Sequence, residues 1–259
     1  MAVITFMSDF GESDHYVSSV KARILSVNPG LQIIDISHQI DLHNLAHAAF
    51  VLKSVFREFA AGTVHLAAVD TLGSTPSRFL ALKIEDHFFV GADNGLFSLV
   101  GVKTPSMVVE IARPSNAENS TFPARDILAR PCALLASGTG LQDIGIRTTE
   151  YTQLIDRQAR ASKKQISGSV IRVDHYGNLI TDIKKKVFDD IRGQRPYAIT
   201  FARESIEEIS QYYGQVEDGD CFVLFNSLGL LEIGIFRGNA AELLGMGYDS
   251  PVHIHFKQE

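Results

Sequence analysis

Val3-Ile4-Thr5-Phe6-Met7-Ser8-Asp9-Phe10-Gly11-Glu12-Ser13-Asp14 decides the fold class: an apolar run passes directly into an acidic cluster, and helical periodicity follows. Val3–Met7 reads as a buried strand. Ser13 is placed to cap the next helix, whose Val17, Val20, Ile24 and Val27 recur at helical spacing until Asn28-Pro29-Gly30 stops it. Ile33–Ile36 is a second strand. Leu45, Ala48, Leu52, Val55 and Phe59 form the apolar stripe of a second helix, ended by Gly62. Further strands are expected over Val64–Val69, Phe79–Ile84, Phe88–Val90 and Val108–Ile111, with a helix from near Arg125 through Leu134. This alternation implies an α/β layer built on a largely parallel sheet.

The pattern changes after Tyr151. Arg157-Gln158-Ala159-Arg160-Ala161-Ser162-Lys163-Lys164 is polar and small, the composition of a linker. Beyond it come closely spaced short strands at Gly168–Val173, Leu179–Ile183, Ala198–Phe201, Phe222–Phe225, Leu230–Ile235 and Val252–Phe256. Short helical signals such as Ala240–Leu244 interrupt them. The expectation is an N-terminal α/β domain over residues 1–155, a linker over 156–166 and a smaller C-terminal β-barrel domain over 167–259.

With 259 residues, 45% hydrophobic and 21% charged, the chain has the make-up of an ordinary globular protein. A net charge of −6 leaves no electrostatic footprint for nucleic acid, and Lys184-Lys185-Lys186 reads as a solvated helix or turn. No apolar run approaches the length of a membrane span, and the N-terminus has no basic region before its first strand. Cys132 and Cys221 sit among apolar neighbours, as free thiols of a reducing compartment do. No Cys/His spacing suggests zinc and no carboxylate cluster suggests calcium, so neither metal nor cofactor is expected. The reading is a cytoplasmic protein with no membrane or nucleic-acid partner.

Asp9 leaves the first strand where parallel α/β sheets gather ligands, although Asp9, Ser13 and Asp14 serve equally well as strand terminator and helix cap. Asp70 ends the third strand in the same way and enters Thr71-Leu72-Gly73-Ser74-Thr75-Pro76-Ser77-Arg78, which lacks the Gly-Lys-Ser/Thr ending of a P-loop. Asp93-Asn94-Gly95 is foremost turn chemistry. None of the nine histidines falls into a recognisable triad motif. In Val173-Asp174-His175-Tyr176-Gly177-Asn178-Leu179-Ile180-Thr181-Asp182, an extended backbone puts Asp174, Tyr176 and Asn178 on one face and His175 on the other. A carboxylate, a ring and a carboxamide at that spacing suit a nucleoside.

Over nearly its whole length the chain resembles the S-adenosyl-L-methionine (SAM) hydroxide adenosyltransferase family, which is related to the bacterial fluorinase and chlorinase. The matching segments are Met7-Ser8-Asp9-Phe10-Gly11 with Asp14, Gly62-Thr63-Val64-His65 leading to Asp70, Gly91-Ala92-Asp93-Asn94-Gly95-Leu96, Thr121-Phe122 and Arg125-Asp126. Further on they are Asp174, Tyr176-Gly177-Asn178-Leu179-Ile180-Thr181, Asn226-Ser227 and Arg237-Gly238-Asn239-Ala240-Ala241-Glu242-Leu243-Leu244-Gly245. The resemblance implies the same two-domain architecture in a homotrimer, with SAM bound between one subunit's N-domain and its neighbour's C-domain. It also implies that Asp9 holds the ribose hydroxyls, and that Asp14, Asp174 and Ser227 fix the methionine ammonium and carboxylate. Phe122 and Tyr176 would pack on the nucleoside, while Asn178 and the backbone around Ala240 would read the adenine edge. The implied reaction is attack of water at the 5′ carbon of SAM, giving adenosine and L-methionine without a cofactor.

Family hydrolases are understood to place an Asp, an Arg and a His near that water. Asp70 matches the first. The usual Arg-Arg pair is Ser77-Arg78 here, which leaves Arg78 as a partial substitute, and the usual His-Gly is Pro123-Ala124. His15 and His43 are candidate replacement bases; His175 is a poorer one. A rival reading is therefore a SAM- or adenosine-binding protein without catalysis. Halide transfer is disfavoured, because fluorinase and chlorinase carry a tyrosine where Asp70 stands and a carboxylate there repels a halide. Fluorinase also has a serine at the position of Ala124.

Overall fold

The computed structural model describes residues 3–72, 78–101, 103–117 and 119–257. The chain divides into two compact units, Met1–Ile155 and Asp156–Glu259.

The first unit is built on a seven-stranded mixed sheet of order β2-β1-β3-β5-β4-β6-β7. β1 (Ile4–Ser8) lies between β2 (Ile33–Ser37) and β3 (Val64–Ala68), parallel to both, and β3 pairs in parallel with β5 (His87–Ala92). Beyond β5 the pairing turns antiparallel through β4 (Phe79–Ile84), β6 (Met107–Ile111) and β7 (Gly145–Thr148).

Every residue of β1 is buried because helices cover both faces of the sheet. Ile4 and Phe6 pack in one core with Val20 and Ile24 of α1 (Tyr16–Val27) and Cys132 and Ala133 of α4 (Ala129–Ala136). Met7 turns the other way, into a core with Ala48 and Leu52 of α2 (Leu45–Val55) and Phe97 of α3 (Leu96–Val100). The period-2 alternation of a strand thus supplies two cores at once.

One local expectation is corrected. The cap of α1 is His15, with no side-chain cap bond, and not Ser13. The helix opens at Tyr16, whose ring packs edge-on against Phe122, so tertiary packing sets the start in place of a serine. α2 is capped as its sequence demands, Asn44 accepting the His47 N–H at 3.0 Å.

The second unit is an antiparallel sheet of order β12-β11-β15-β9-β10-β14-β13. Its strands are β9 (Gln165–Val173), β10 (Leu179–Lys184), β11 (Tyr197–Phe201), β12 (Glu204–Ile206), β13 (Cys221–Phe225), β14 (Leu230–Ile235) and β15 (Pro251–Phe256). Arg160–Ala161, β8, lies in the polar stretch read as a linker and pairs with β9. Past β12, Ser210 bridges to Leu224 of β13, so the two edges nearly meet and the sheet is barrel-like. Ile166, Leu179, Ile199, Val223, Ile233 and Ile254 fill its interior. A register shift between Ile180 and Thr181 bends β10 as barrel closure requires. Lys185 of the triple-lysine run opens α5 (Lys185–Arg192), and α6 spans Ala240–Leu244.

Candidate active site

Strands β2, β1, β3 and β5 lie side by side, so the loops leaving their carboxyl ends are neighbours. Asp9 follows β1 and is buried. Its Oδ2 accepts the backbone N–H of His43 at 3.2 Å and of Asp70 at 3.1 Å. His43 lies on the way from β2 to α2; Asp70 comes just after β3. Both are left-handed, with φ of 59° and 47°. That conformation costs a non-glycine residue about 1–3 kcal/mol and persists where its surroundings over-determine it.

The side chains of these two residues also meet, His43 Nδ1 lying 2.9 Å from Asp70 Oδ1. Asn94, beyond β5, sends its Nδ2 to the carbonyls of Val69 at 3.0 Å and Asp70 at 3.4 Å. Its Oδ1 meanwhile accepts the Leu96 N–H at 3.2 Å. Three strand ends therefore converge on the Asp70 loop. Asn94, read from sequence as turn chemistry, is a clamp on it. The signal for that role is its place at the carboxyl end of a strand next to β3.

Nearby, Phe122 is buried among rings, 5.6 Å from Phe10 and 5.1 Å from Tyr16, both edge-on. Asp126 receives Arg125 Nε at 2.7 Å and Ser120 Oγ at 2.6 Å, and the Arg125 bond foremost holds its carboxyl below the usual range. Asp14 is exposed ahead of α1, and Pro123 stands where the turn into Ala124–Leu128 begins. Neither cysteine is poised as a nucleophile: burial pushes the Cys132 thiol up, and raises Cys221 to about 11.

Arg78 is engaged elsewhere. Its guanidinium sits 3.3 Å from Asp93 Oδ2 and 3.0 Å from Glu110 Oε2. Ser77 lies outside the described residues. A cavity of about 360 Å³ is lined by Arg78, Glu110, Arg113 and Arg147 among others, but by none of Asp9, His43 and Asp70. Its Arg78 and Glu110 already neutralise each other, so the strand-end cluster is the stronger chemical candidate.

One further arrangement imitates a nucleophilic triad. Ser8 Oγ lies 2.7 Å from His38 Nδ1, and His38 Nε2 lies 3.2 Å from Asp35 Oδ1. Ser8 is fully buried, which denies its hydroxyl to any substrate. The group ties β1 to β2.

In the second unit, the segment from Asp174 to Asn178 is a tight turn between β9 and β10, which corrects the extended reading. Asp174 Oδ1 accepts the N–H groups of Tyr176 at 2.9 Å and Asn178 at 2.8 Å, and Gly177 is left-handed at φ 85°. Strand alternation does not run through it, so the faces inferred for Asp174, Tyr176, Asn178 and His175 do not hold. The residues are nonetheless close, because the Asp174 carboxylate also accepts Asn178 Nδ2 at 3.2 Å. The Gly177 carbonyl accepts the Ala241 N–H at 2.9 Å, which brings buried Ala240 and the start of α6 onto the same turn. Asn178 is buried while Tyr176 stands 76% exposed, a ring projecting into solvent.

Ser227 is exposed on the β13–β14 turn, where Asn226 Oδ1 accepts the N–H groups of Leu228 and Leu230. Below it, buried Glu232 accepts Asn226 Nδ2 at 2.9 Å and Tyr213 Oη at 3.0 Å. Burial first, and then Glu232, push the Tyr213 phenol up to about 12.

Comparison with known proteins agrees with this architecture. Residues 4–145 match the SAM hydroxide adenosyltransferase N-terminal domain, and residues 168–253 match the C-terminal domain. The chain is 32% identical to the (R)-S-adenosyl-L-methionine hydrolase of Methanocaldococcus jannaschii, covering 97% of this chain and 95% of that protein. It is 30% identical to the enzyme of the same name from Thermus thermophilus, with 98% and 100% covered. The crystal structure of an uncharacterized conserved protein from Thermotoga maritima superposes with a TM-score of 0.88 at 29% identity, covering 98% of this chain and 100% of that one. Matched across both of its units, the chain belongs to the SAM hydroxide adenosyltransferase family.

Proposed function

We propose that the protein hydrolyses SAM to adenosine and L-methionine, with Asp70 positioning the attacking water. The observation that carries this reading is the Asp70 carboxylate, 27% exposed and fixed at the carboxyl edge of parallel strands by bonds from Asp9 and Asn94. As the water oxygen bonds to the 5′ carbon, the carbon–sulfur bond breaks and its electron pair returns to sulfur. The leaving group departs as neutral methionine, because the sulfonium was already cationic, so no acid is needed to protonate it. The proton shed by the water passes to Asp70 and then to solvent. The protein's task is alignment and partial desolvation of one water.

In this reading Asp9 binds the ribose hydroxyls, while Asp14, Asp174 and Ser227 take the methionine end. Phe122 and Tyr176 pack on the nucleoside; Asn178 and the backbone at Ala240 meet the adenine. A second reading, a non-catalytic SAM- or adenosine-binding protein, is favoured by Arg78 being paired with Asp93 and Glu110 and by proline at position 123.

Incubation with each sulfonium epimer of SAM, with and without chloride, separates the readings by product. Adenosine with L-methionine is the expected outcome. Bound but unchanged SAM makes the protein a binder, and 5′-chloroadenosine makes it a halogenase.

A further inference from the structure

We propose that His43 is a positioning residue for Asp70, fixing the carboxylate oxygen that faces the attacking water; this role rests on the hydrolase reading. An ionised carboxylate only accepts hydrogen bonds, so the 2.9 Å contact requires His43 Nδ1 to be the donor to Asp70 Oδ1. Among the described residues, Asp70 Oδ2 is then the oxygen left for a water. The ring's far nitrogen, Nε2, remains toward solvent, because the His43 side chain is 73% exposed.

Three features separate this contact from an ordinary surface pair. Both residues are left-handed, and both backbone N–H groups are anchored on one oxygen of buried Asp9. The contact joins loops from two strands that flank β1 on opposite sides, so no helix or hairpin places it locally. Exposed pairs of this kind add little to stability by themselves. Non-glycine residues held in a left-handed conformation by their surroundings cluster at functional sites.

In the reaction, the water oxygen forms its bond to the 5′ carbon as the bond to sulfur breaks, and the water's proton goes to Asp70 Oδ2. His43 keeps its Nδ1 proton throughout and acts only through Asp70. The Asp70 geometry therefore needs a donor at the Nδ1 position and not an imidazole as such. Asparagine carries a donor there, Nδ2, and tolerates a positive φ.

The test is steady-state SAM hydrolysis by the full chain, with His43→Ala and His43→Asn compared against the parent and thermal melts confirming folding. Loss of orientation should lower kcat by roughly 10–100-fold in His43→Ala with KM within about three-fold, the mark of a contact that matters to the transition state. His43→Asn should regain most of that loss. An active parent whose His43→Ala variant keeps its kcat overturns the role alone, as does His43→Asn falling as far as alanine. A folded parent that releases no adenosine overturns the hydrolase reading and this role with it.

Discussion

At the scale of single residues, Asp70 shows how little of a site's chemistry is in the side chain alone. Its carboxylate is fixed in place because Asp9 and Asn94 hold its backbone in a left-handed turn. Asp70→Asn keeps the shape, tolerates that φ and retains an acceptor for His43, but removes the charge. We expect it to lower SAM hydrolysis by about 10²–10⁴-fold while SAM affinity by calorimetry stays within a few-fold. Hydrolysis at the parent rate in this variant would take the water-positioning role away from Asp70. The sequence named Asp9 and Asp70 because each ends a strand at the ligand-binding edge. It did not give Asn94 a role, because an Asn-Gly pair reads as a turn with or without a bond across to the next strand.

At the scale of elements, the turn from Asp174 to Asn178 matters most. Its residues were legible as a candidate site, but its shape was not. Alternating residue types suit an extended strand, and only Gly177 in the run hinted otherwise. The structure settles the matter through the Asp174 carboxylate, which closes the turn on two N–H groups. A side chain at Gly177 would be strained at φ 85°, and its Cβ would stand 2.0 Å from Asn239 Oδ1 at the cap of α6. Gly177→Ala should therefore destabilise the second unit by about 1–3 kcal/mol, read as a lower denaturation midpoint. An unchanged midpoint would show that the turn and α6 are not packed as described. Ala240–Leu244 itself was legible to the residue, and the structure adds its cap, Asn239 Oδ1 accepting the Glu242 N–H at 3.2 Å.

At the scale of the whole molecule, a buried polar chain crosses three parallel strands and ties stability to pH. Thr5 Oγ1 lies 2.7 Å from His65 Nδ1, and His65 Nε2 lies 3.1 Å from His87 Nδ1. Burial first, and then the neighbouring His87, push His65 down from 6.5 to about 3. The folded protein thus keeps this imidazole neutral over a range where the unfolded chain protonates it. Stability is unaffected above the unfolded value and is lost as pH falls from about 6.5 toward about 3. Between pH 7 and pH 5 the loss from this group is about 2 kcal/mol. Thermal melts across that interval should fall less steeply in His65→Asn than in the parent; equal slopes would remove His65 as the cause.

Strand-to-helix alternation, apolar stripes and the change to short strands after the first unit were enough to determine the α/β layer and the barrel-like second unit. These follow from periodicity, which is a property of neighbours along the chain. The family, too, was readable, since its motifs are short runs in a fixed order. The meeting of His43 with Asp70 was decided only by tertiary structure. Their 27 residues of separation are closed by β2, β1 and β3 pairing side by side, and by Asp9 gathering two distant N–H groups on one buried oxygen. The pairing of Arg78 with Asp93 and Glu110 has the same origin, because β4 runs antiparallel to both β5 and β6 and so sets Arg78 beside a carboxylate from each side. A contact between loops has no period in sequence; it exists only once the sheet has ordered the strands that carry them.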